Sequence, residues 1–317
     1  ENFGNKDALG FHIPGMWRKI LDLKECFLQE EPSNEIRLAV RDYAIKNGLD
    51  FYDVRNQEGF LRTLMLRQNS KGEWMVLFQL YREEKENREN LFNFVLEKFP
   101  QVKTLVYAIN PKGNDSIYDL DIQNYYGEGF LMEEMDGLQF KIGPKSFFQT
   151  NYKQALELYR KTIEFAEISE NDVVYDLYTD IGTIAQYIAK KAKYVIGIES
   201  VQEAIDAAIE HAKLNGLENC EFHCGDMKDV FTEEFLDNHP KADVLVTDPP
   251  RDGMHQKVVE QILKLSPPKI VYVSCNSATQ ARDLALMKEH YNVVKILPVD
   301  MFPQTHHVEN IALLVKK

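Results

Sequence analysis

The sequence predicts an α/β chain in which a parallel, doubly wound sheet fills the second half and a smaller α+β domain precedes it. Three observations carry that expectation. From about residue 150 onward, short runs of β-branched and aromatic residues alternate with amphipathic stretches of helical period, the pattern of strands covered by helices on both faces. The last two apolar runs, YNVVKILPVDMF and HVENIALLVK, are closely spaced, which suggests an antiparallel hairpin at the end of the sheet. Before about residue 140 the alternation is absent, and a hairpin signal sits among helices instead.

Taken in chain order, NEIRLAVRDYAIKNG reads as a helix closed by Gly48, and GFLRTLMLRQNSKGEWMVLFQLY as two strands around an Asn-Ser-Lys-Gly turn. EEKENRENLFNFVLEKFP is a helix with a charged, solvated face, and KTLVYAIN and GFLMEEMDGLQFKIGP add strands. The boundary falls between about residues 136 and 150. Beyond it, NYKQALELYRKTIEFAEI places Leu156, Tyr159, Ile163 and Ala166 on one helical face. Next come the strand NDVVYDLYTDIG, the helix TIAQYIAKKA, the strand YVIGIES and the helix QEAIDAAIEHAKLNG. The strands CEFHCGD and DVLVTDPPRDG, the helix HQKVVEQILKL, the strand KIVYVSCN and a further helix lead to the final hairpin.

Composition narrows the class. The chain has 317 residues, enough for two cores, and its 44% hydrophobic and 27% charged content is that of a soluble globular protein. No stretch approaches the roughly 18 uncharged apolar residues of a membrane span, and the first residues lack the basic-then-apolar layout of a signal peptide. The sequence begins with Glu1, and its first methionine, Met16, lies in an apparent structural segment, so a fragment of a longer chain is expected. Cysteines at 26, 220, 224 and 275 are too few and too irregular for a disulfide framework, which points to the cytoplasm. A monomer is the default expectation. The net charge of −13 divides almost evenly about residue 140 (17 − 24 = −7 before it, 20 − 26 = −6 after it). Neither part has the basic field that supplies most non-specific nucleic-acid affinity, so any such partner is held by a local patch or by a segment outside this fragment.

In an open parallel sheet, ligands bind beyond the C-terminal ends of the strands. Those ends carry Asp176-Leu177-Tyr178-Thr179-Asp180-Ile181-Gly182, Gly197-Ile198-Glu199, Gly225-Asp226, Asp248-Pro249-Pro250-Arg251 and Cys275-Asn276. Glu199 follows Gly182 by 17 residues, where an acid can accept both hydroxyls of a ribose. The G-x-G-x-x-G spacing of a dinucleotide site is absent, so a nucleoside such as S-adenosylmethionine is the expected ligand. Asp248-Pro249-Pro250 is similar to the acidic-Pro-Pro loop of methyltransferases that act on base amino groups, yet those need no cysteine. Cys275, at the end of the next strand, points to carbon methylation instead. C5 of uracil is a poor nucleophile until a thiolate adds to C6, and the adduct resolves only when a base removes the C5 proton. The base should be a carboxylate or histidine nearby, and DMFPQTHHVENIALL offers His306, His307 and Glu309 just before the last strand.

These segments resemble the RNA (uracil-5-)-methyltransferase family, which includes 23S rRNA and tRNA 5-methyluridine methyltransferases. The resemblance rests on FFQTN, DLYTDIGTIA, GIE, TDPPRDG, VSCNSATQARDL and MFPQTHHVE, in that order across about residues 140–317, and more loosely on LGFHIPGM, LDLKEC and GFLRTLMLR. It implies a Rossmann-like class I methyltransferase domain over residues 141–317, preceded by a smaller α+β domain over residues 1–140 that contacts RNA. It implies Cys275 as nucleophile, Glu309 as base, and Gln149, Tyr178, Glu199 and Asp248 as contacts of the S-adenosylmethionine donor. Asp226 is an adenine contact by its strand-end position. The substrate implied is a uridine in structured RNA, 23S rRNA ahead of tRNA, flipped out of its stack.

Two departures bear on these roles. Where the family usually has Gly, this chain has Asp180, which puts a carboxylate and a Cβ near the donor. Many members also carry a β-barrel and a 4Fe–4S cluster ahead of this region; Cys26 matches the last cluster ligand, and one cysteine cannot hold a cluster, so none is expected in this fragment. Two other functions stay open on the residues alone: an RNA-binding module with impaired catalysis, motivated by Asp180, and an amino-group methyltransferase working through Asp248-Pro249-Pro250. Cys220, His223 and Cys224 do not read as a metal cluster, because strand alternation turns His223 away from the two cysteines. Arg62, Arg67, Lys71, Lys145 and Lys153 are either phosphate contacts or scattered surface cations.

Overall fold

The computed structural model describes residues 7–317. The chain divides into two compact units, Glu1–Glu133 with Ile142–Lys145 and Glu134–Lys141 with Ser146–Lys317.

In the first unit, β1 (Phe11–Ile13) and β2 (Met16–Leu21) pair antiparallel. Helix α1 (Ser33–Asn47) ends at Gly48, whose φ of 68° lets its N–H reach the carbonyls of Ala44 and Ile45. A four-stranded sheet then forms from β3 (Leu61–Gln68), β4 (Trp74–Leu80), β5 (Val102–Ile109) and β6 (Gln123–Tyr126), with α2 (Lys85–Lys98) crossing between the parallel pair β4 and β5. The β3–β4 turn is set by Asn69, whose Oδ1 accepts from the N–H groups of Lys71 (3.1 Å) and Glu73 (2.9 Å). Ile36, Phe60, Trp74, Leu91 and Phe92 fill the core. Sequence reading missed β1, β2 and β6. β1 and β6 are short and mostly exposed, so no apolar alternation marks them.

The chain passes from one unit to the other in the β7 (Leu131–Met135) and β8 (Leu138–Ile142) hairpin, turned by Asp136 and Gly137 at positive φ. The second unit opens with α3 (Tyr152–Ala166). It continues through β9 (Val173–Leu177), α4 (Thr183–Ala189), β10 (Tyr194–Glu199), α5 (Gln202–Leu214) and β11 (Cys220–Cys224). Then follow α6 (Met227–Val230), α7 (Glu233–Asn238), β12 (Val244–Thr247), α8 (Gln256–Leu265), β13 (Lys269–Ser274), α9 (Ser277–Met287), β14 (Tyr291–Val299) and β15 (Glu309–Lys316).

The seven strands lie in the order β11-β10-β9-β12-β13-β15-β14. The first five are parallel, and β14 and β15 form the antiparallel hairpin that the sequence suggests. Tyr175, Leu177, Ile196, Leu245, Ile270 and Tyr272 are fully buried beneath the helices. Strand order reverses at β9, between β10 and β12, and that reversal opens the ligand crevice of a doubly wound sheet. Helices α6 and α7 escaped sequence reading because four and six residues are too few to show a helical period. No helix of the described residues is long and apolar enough to cross a membrane.

Candidate active site

The turn after β9 is built on left-handed residues: Tyr178, Asp180 and Gly182 have φ of 63°, 52° and 78°. Gly182 caps α4, and a Cβ there would fall 2.9 Å from the Cβ of Ala208, so packing against α5 excludes a side chain. Asp180 occupies the same backbone region with a side chain, in a conformation that favours glycine. Glu199 closes β10 beside this turn. Its Oε1 accepts from the N–H groups of Ser200 (2.6 Å) and Val201 (3.1 Å), and its Oε2 faces the Asp180 N–H at 3.4 Å. The carboxylate is thus held in one orientation.

A second group of acids lies deeper. Asp176, buried in β9, accepts from the Thr179 hydroxyl (2.6 Å), and burial pushes its carboxyl up to about 7 against that bond. Burial also pushes Asp248, just past β12, up to about 8; Glu309, Asp176 and Asp180 act in the same direction. Tyr178 stands close enough to Asp226, Asp283 and Glu199 for their charges to raise its hydroxyl, after burial itself.

Cys275 and Glu309 come together at one end of the β13–β15 pair. The ladder pairs Val273 with Ile311 and Ser274 with Asn310, so Cys275 leaves β13 just where Glu309 opens β15. Burial raises the half-buried Cys275 thiol, and Glu309 and Asp248 raise it further, while Arg251 opposes them. Burial likewise raises Glu309, again with Arg251 opposing.

The turn that presents Cys275 is tightly specified. Ser274 Oγ accepts from Asn276 N–H (3.1 Å), Asn276 Oδ1 caps α9 at Ala278 N–H (3.1 Å), and Asn276 Nδ2 donates to the Arg251 carbonyl (3.1 Å). Thr279 Oγ1 donates to the same carbonyl at 3.0 Å. Asp283, fully buried on α9, accepts from the Tyr272 hydroxyl (2.7 Å) and the Met254 N–H (2.8 Å). Gln280 Nε2 donates to the carbonyls of Tyr272 (2.9 Å) and Asn310 (3.2 Å), which ties α9 to the start of β15. Sequence reading assigned no role to Arg251, Asn276, Gln280 or Asp283; only the fold shows what they join.

The other expected residues are placed as follows. Gln149 is half-buried in the segment before α3, and Asn151 fastens that segment by donating to the Met301 carbonyl (2.8 Å). Asp226 caps α6 and pairs with the Lys228 ammonium, which lowers its carboxyl. His307 Nδ1 lies 3.4 Å from the Arg251 guanidinium, and the His306 and His307 rings are 4.0 Å apart. Cys26 N–H donates to Asn34 Oδ1.

One expectation is corrected. Arg62 is not a phosphate contact: its side chain is 2% exposed, pairs with Asp115 and donates to the carbonyls of Asn110 and Asn114. Lys145 Nζ donates to the Tyr118 carbonyl (2.9 Å), and Arg67 to that of Gly143 (3.3 Å).

The donor set at the strand ends is one of carboxylates around a turn with no phosphate-cradling glycine series. Such a set fits a ribose diol and a cationic sulfonium, and it repels a pyrophosphate.

The sequence matches the family model described as tRNA (Uracil-5-)-methyltransferase over residues 116–317. An uncharacterized RNA methyltransferase of Porphyromonas gingivalis is 53% identical over 98% of this chain and 67% of its own length. One of Bacteroides thetaiotaomicron is 50% identical over 98% and 69%. The chain thus spans about two thirds of the length of these curated relatives. Among solved structures, a Pyrococcus abyssi tRNA (uracil-54, C5)-methyltransferase in complex with S-adenosyl-L-homocysteine superposes with a TM-score of 0.81 at 32% identity, over 98% of this chain and 73% of that one.

Proposed function

The chain belongs to the tRNA (uracil-5-)-methyltransferase family, and from that premise we propose that it methylates C5 of a uridine in structured RNA through a covalent adduct on Cys275. The observation that carries this is that Cys275 and Glu309 lie at the same end of the β13–β15 ladder, near enough for the charges of Glu309 and Asp248 to act on the Cys275 thiol.

Bound S-adenosylmethionine supplies an electrophilic methyl group. Glu199 holds the ribose hydroxyls, and Gln149, Tyr178, Asp226 and Asp248 complete the donor contacts. The Cys275 thiol gives up its proton to solvent, and the resulting thiolate adds to C6 of the flipped uracil and leaves enolate character across C5 and O4. Asp248, its carboxyl pushed up to about 8 by burial, donates a hydrogen bond from its protonated form to the developing oxyanion. C5 takes the methyl group. Glu309 removes the C5 proton, the C5–C6 double bond re-forms, and the Cys275 thiolate leaves. The domain of residues 1–140 contacts the RNA, and the reaction takes place in the cytoplasm.

The sequence resemblance favours 23S rRNA as substrate. A tRNA substrate is favoured by the named activity of the 32%-identical solved relative. Nucleoside mass spectrometry of both RNAs from a deletion strain decides between them by which one loses 5-methyluridine.

The mechanism is tested with an RNA carrying 5-fluorouridine and S-adenosylmethionine. Fluorine cannot leave C5 as a proton, so the wild-type chain is expected to trap a species heavier by the RNA and one methyl group, absent in Cys275→Ser. Methyl transfer to natural RNA that survives Cys275→Ser would point instead to an amino-group methyltransferase working through Asp248-Pro249-Pro250.

A further inference from the structure

We propose that Glu221, His223 and His239 form a binding site for one zinc-class divalent cation on the edge strand β11. One ligand atom from each of these residues lies within 4.8 Å of the others. Glu221 and His223 alternate on the same face of β11, and His239 follows the last residue of α7. Nε2 of His223 lies 3.0 Å from Glu221 Oε1, and Nε2 of His239 lies 3.8 Å from the same oxygen. Ligand atoms around a tetrahedral zinc, with bonds of about 2.0–2.2 Å, stand about 3.3–3.6 Å apart. Closure on a cation therefore needs side-chain shifts of roughly an ångström or less.

The surroundings aim these donors. His239 Nδ1 donates to the Phe235 carbonyl (2.6 Å), which fixes the tautomer and leaves Nε2 with its lone pair toward Glu221. Tyr194 donates its hydroxyl to Glu221 Oε2 (2.6 Å), so Oε1 is the oxygen left facing the imidazoles. Nε2 of His223 is buried without a hydrogen-bond partner, despite its closeness to Oε1. The Phe235 ring stacks on His239 at 4.0 Å and meets His223 edge-on at 5.0 Å, which walls the donors from water on that side.

Two imidazoles and one carboxylate suit zinc and its neighbours in the first transition row; Mg²⁺ and Ca²⁺ require oxygen donors throughout. A cation here closes the segment 224–239 at both ends, fastening α6 and α7 to β11. That segment carries Asp226, so on the donor-site reading above the cation also steadies the adenine contact.

The test is calorimetric titration of the chelator-stripped 317-residue chain with Zn²⁺, then with Mg²⁺, at neutral pH. One equivalent of Zn²⁺ is expected to bind and raise the melting temperature, with no response to Mg²⁺. His239→Gln is expected to weaken binding at least about tenfold. Tyr194→Phe, which keeps the ring and loses only the outer contact, should weaken it by about 10- to 100-fold with an unchanged circular-dichroism spectrum. With Co²⁺ as probe, the visible spectrum should lack thiolate charge-transfer bands. Absence of Zn²⁺ binding, equal affinity in wild type and His239→Gln, or thiolate bands implicating Cys220 or Cys224 would each overturn the site. None of these readings uses RNA or the methyl donor, so failure here leaves the methyltransferase proposal untouched.

Discussion

Residue identity matters most where backbone conformation and charge meet. Asp180 shows this: the turn holds it at φ 52°, between Tyr178 and Gly182 that are also left-handed, and its N–H faces Glu199 at 3.4 Å. A glycine would take the same backbone without a Cβ or a carboxylate at the donor. Asp180→Gly is therefore expected to bind S-adenosylhomocysteine several-fold more tightly, on the order of 1 kcal/mol. Equal dissociation constants for the two proteins by calorimetry would show that Asp180 is tolerated without cost. Cys275 and Glu309 stood out as candidates at this scale, because a cysteine at a strand end and an acid before the last strand are suggestive residues in any α/β sheet. Gln280 and Asp283 gave no such signal, being polar residues inside an ordinary helical pattern. Their roles come from full burial and from partners contributed by β13, β15 and the segment after β12.

At the scale of elements, α9 links the two groups assigned to the chemistry. Its N-terminal turn presents Cys275, and its buried Gln280 bonds the Asn310 carbonyl one residue beyond Glu309. Gln280→Leu keeps the helix but leaves two buried carbonyls without that partner, at a cost of about 1–3 kcal/mol in urea unfolding. Because the Asn310 carbonyl beside Glu309 would lose its tie to α9, the slowed step is expected to be proton removal. A covalent RNA adduct should then accumulate with natural uridine in this variant, while the initial rate of adduct formation is preserved. An unchanged steady-state adduct level would assign Gln280 to stability alone. The elements that sequence reading missed, such as β1, β6, α6 and α7, are short and weakly patterned. The longer, more strongly periodic ones, such as α3, α5, α8 and β15, were readable because burial on a sheet imposes the period.

For the whole molecule, burial of acids near the sheet's ligand crevice makes stability depend on pH. Asp176 and Asp248, pushed up to about 7 and about 8, keep protons in the folded chain that the unfolded chain releases near pH 4. Their contribution is full below pH 4 and is lost as pH rises through 7 and 8. Urea midpoints measured between pH 5 and 8.5 should fall more steeply for wild type than for Asp248→Asn, and parallel curves would mean that Asp248 is ionised throughout. Much of the fold was written in the sequence alone: the alternation of strand and helix, the terminal hairpin, and the strand-end positions of Glu199, Asp248 and Cys275. Those are local properties, since side-chain periodicity and turn chemistry act over a few residues. Tertiary structure decided what is paired at a distance. The pairing of β13 with β15 brings Cys275 near Glu309, burial raises the carboxyls of Asp176 and Asp248, and the fold around β11 and α7 converges Glu221, His223 and His239. Such convergences depend on which strands become neighbours, a free-energy choice made by the whole buried core that no short stretch of sequence encodes.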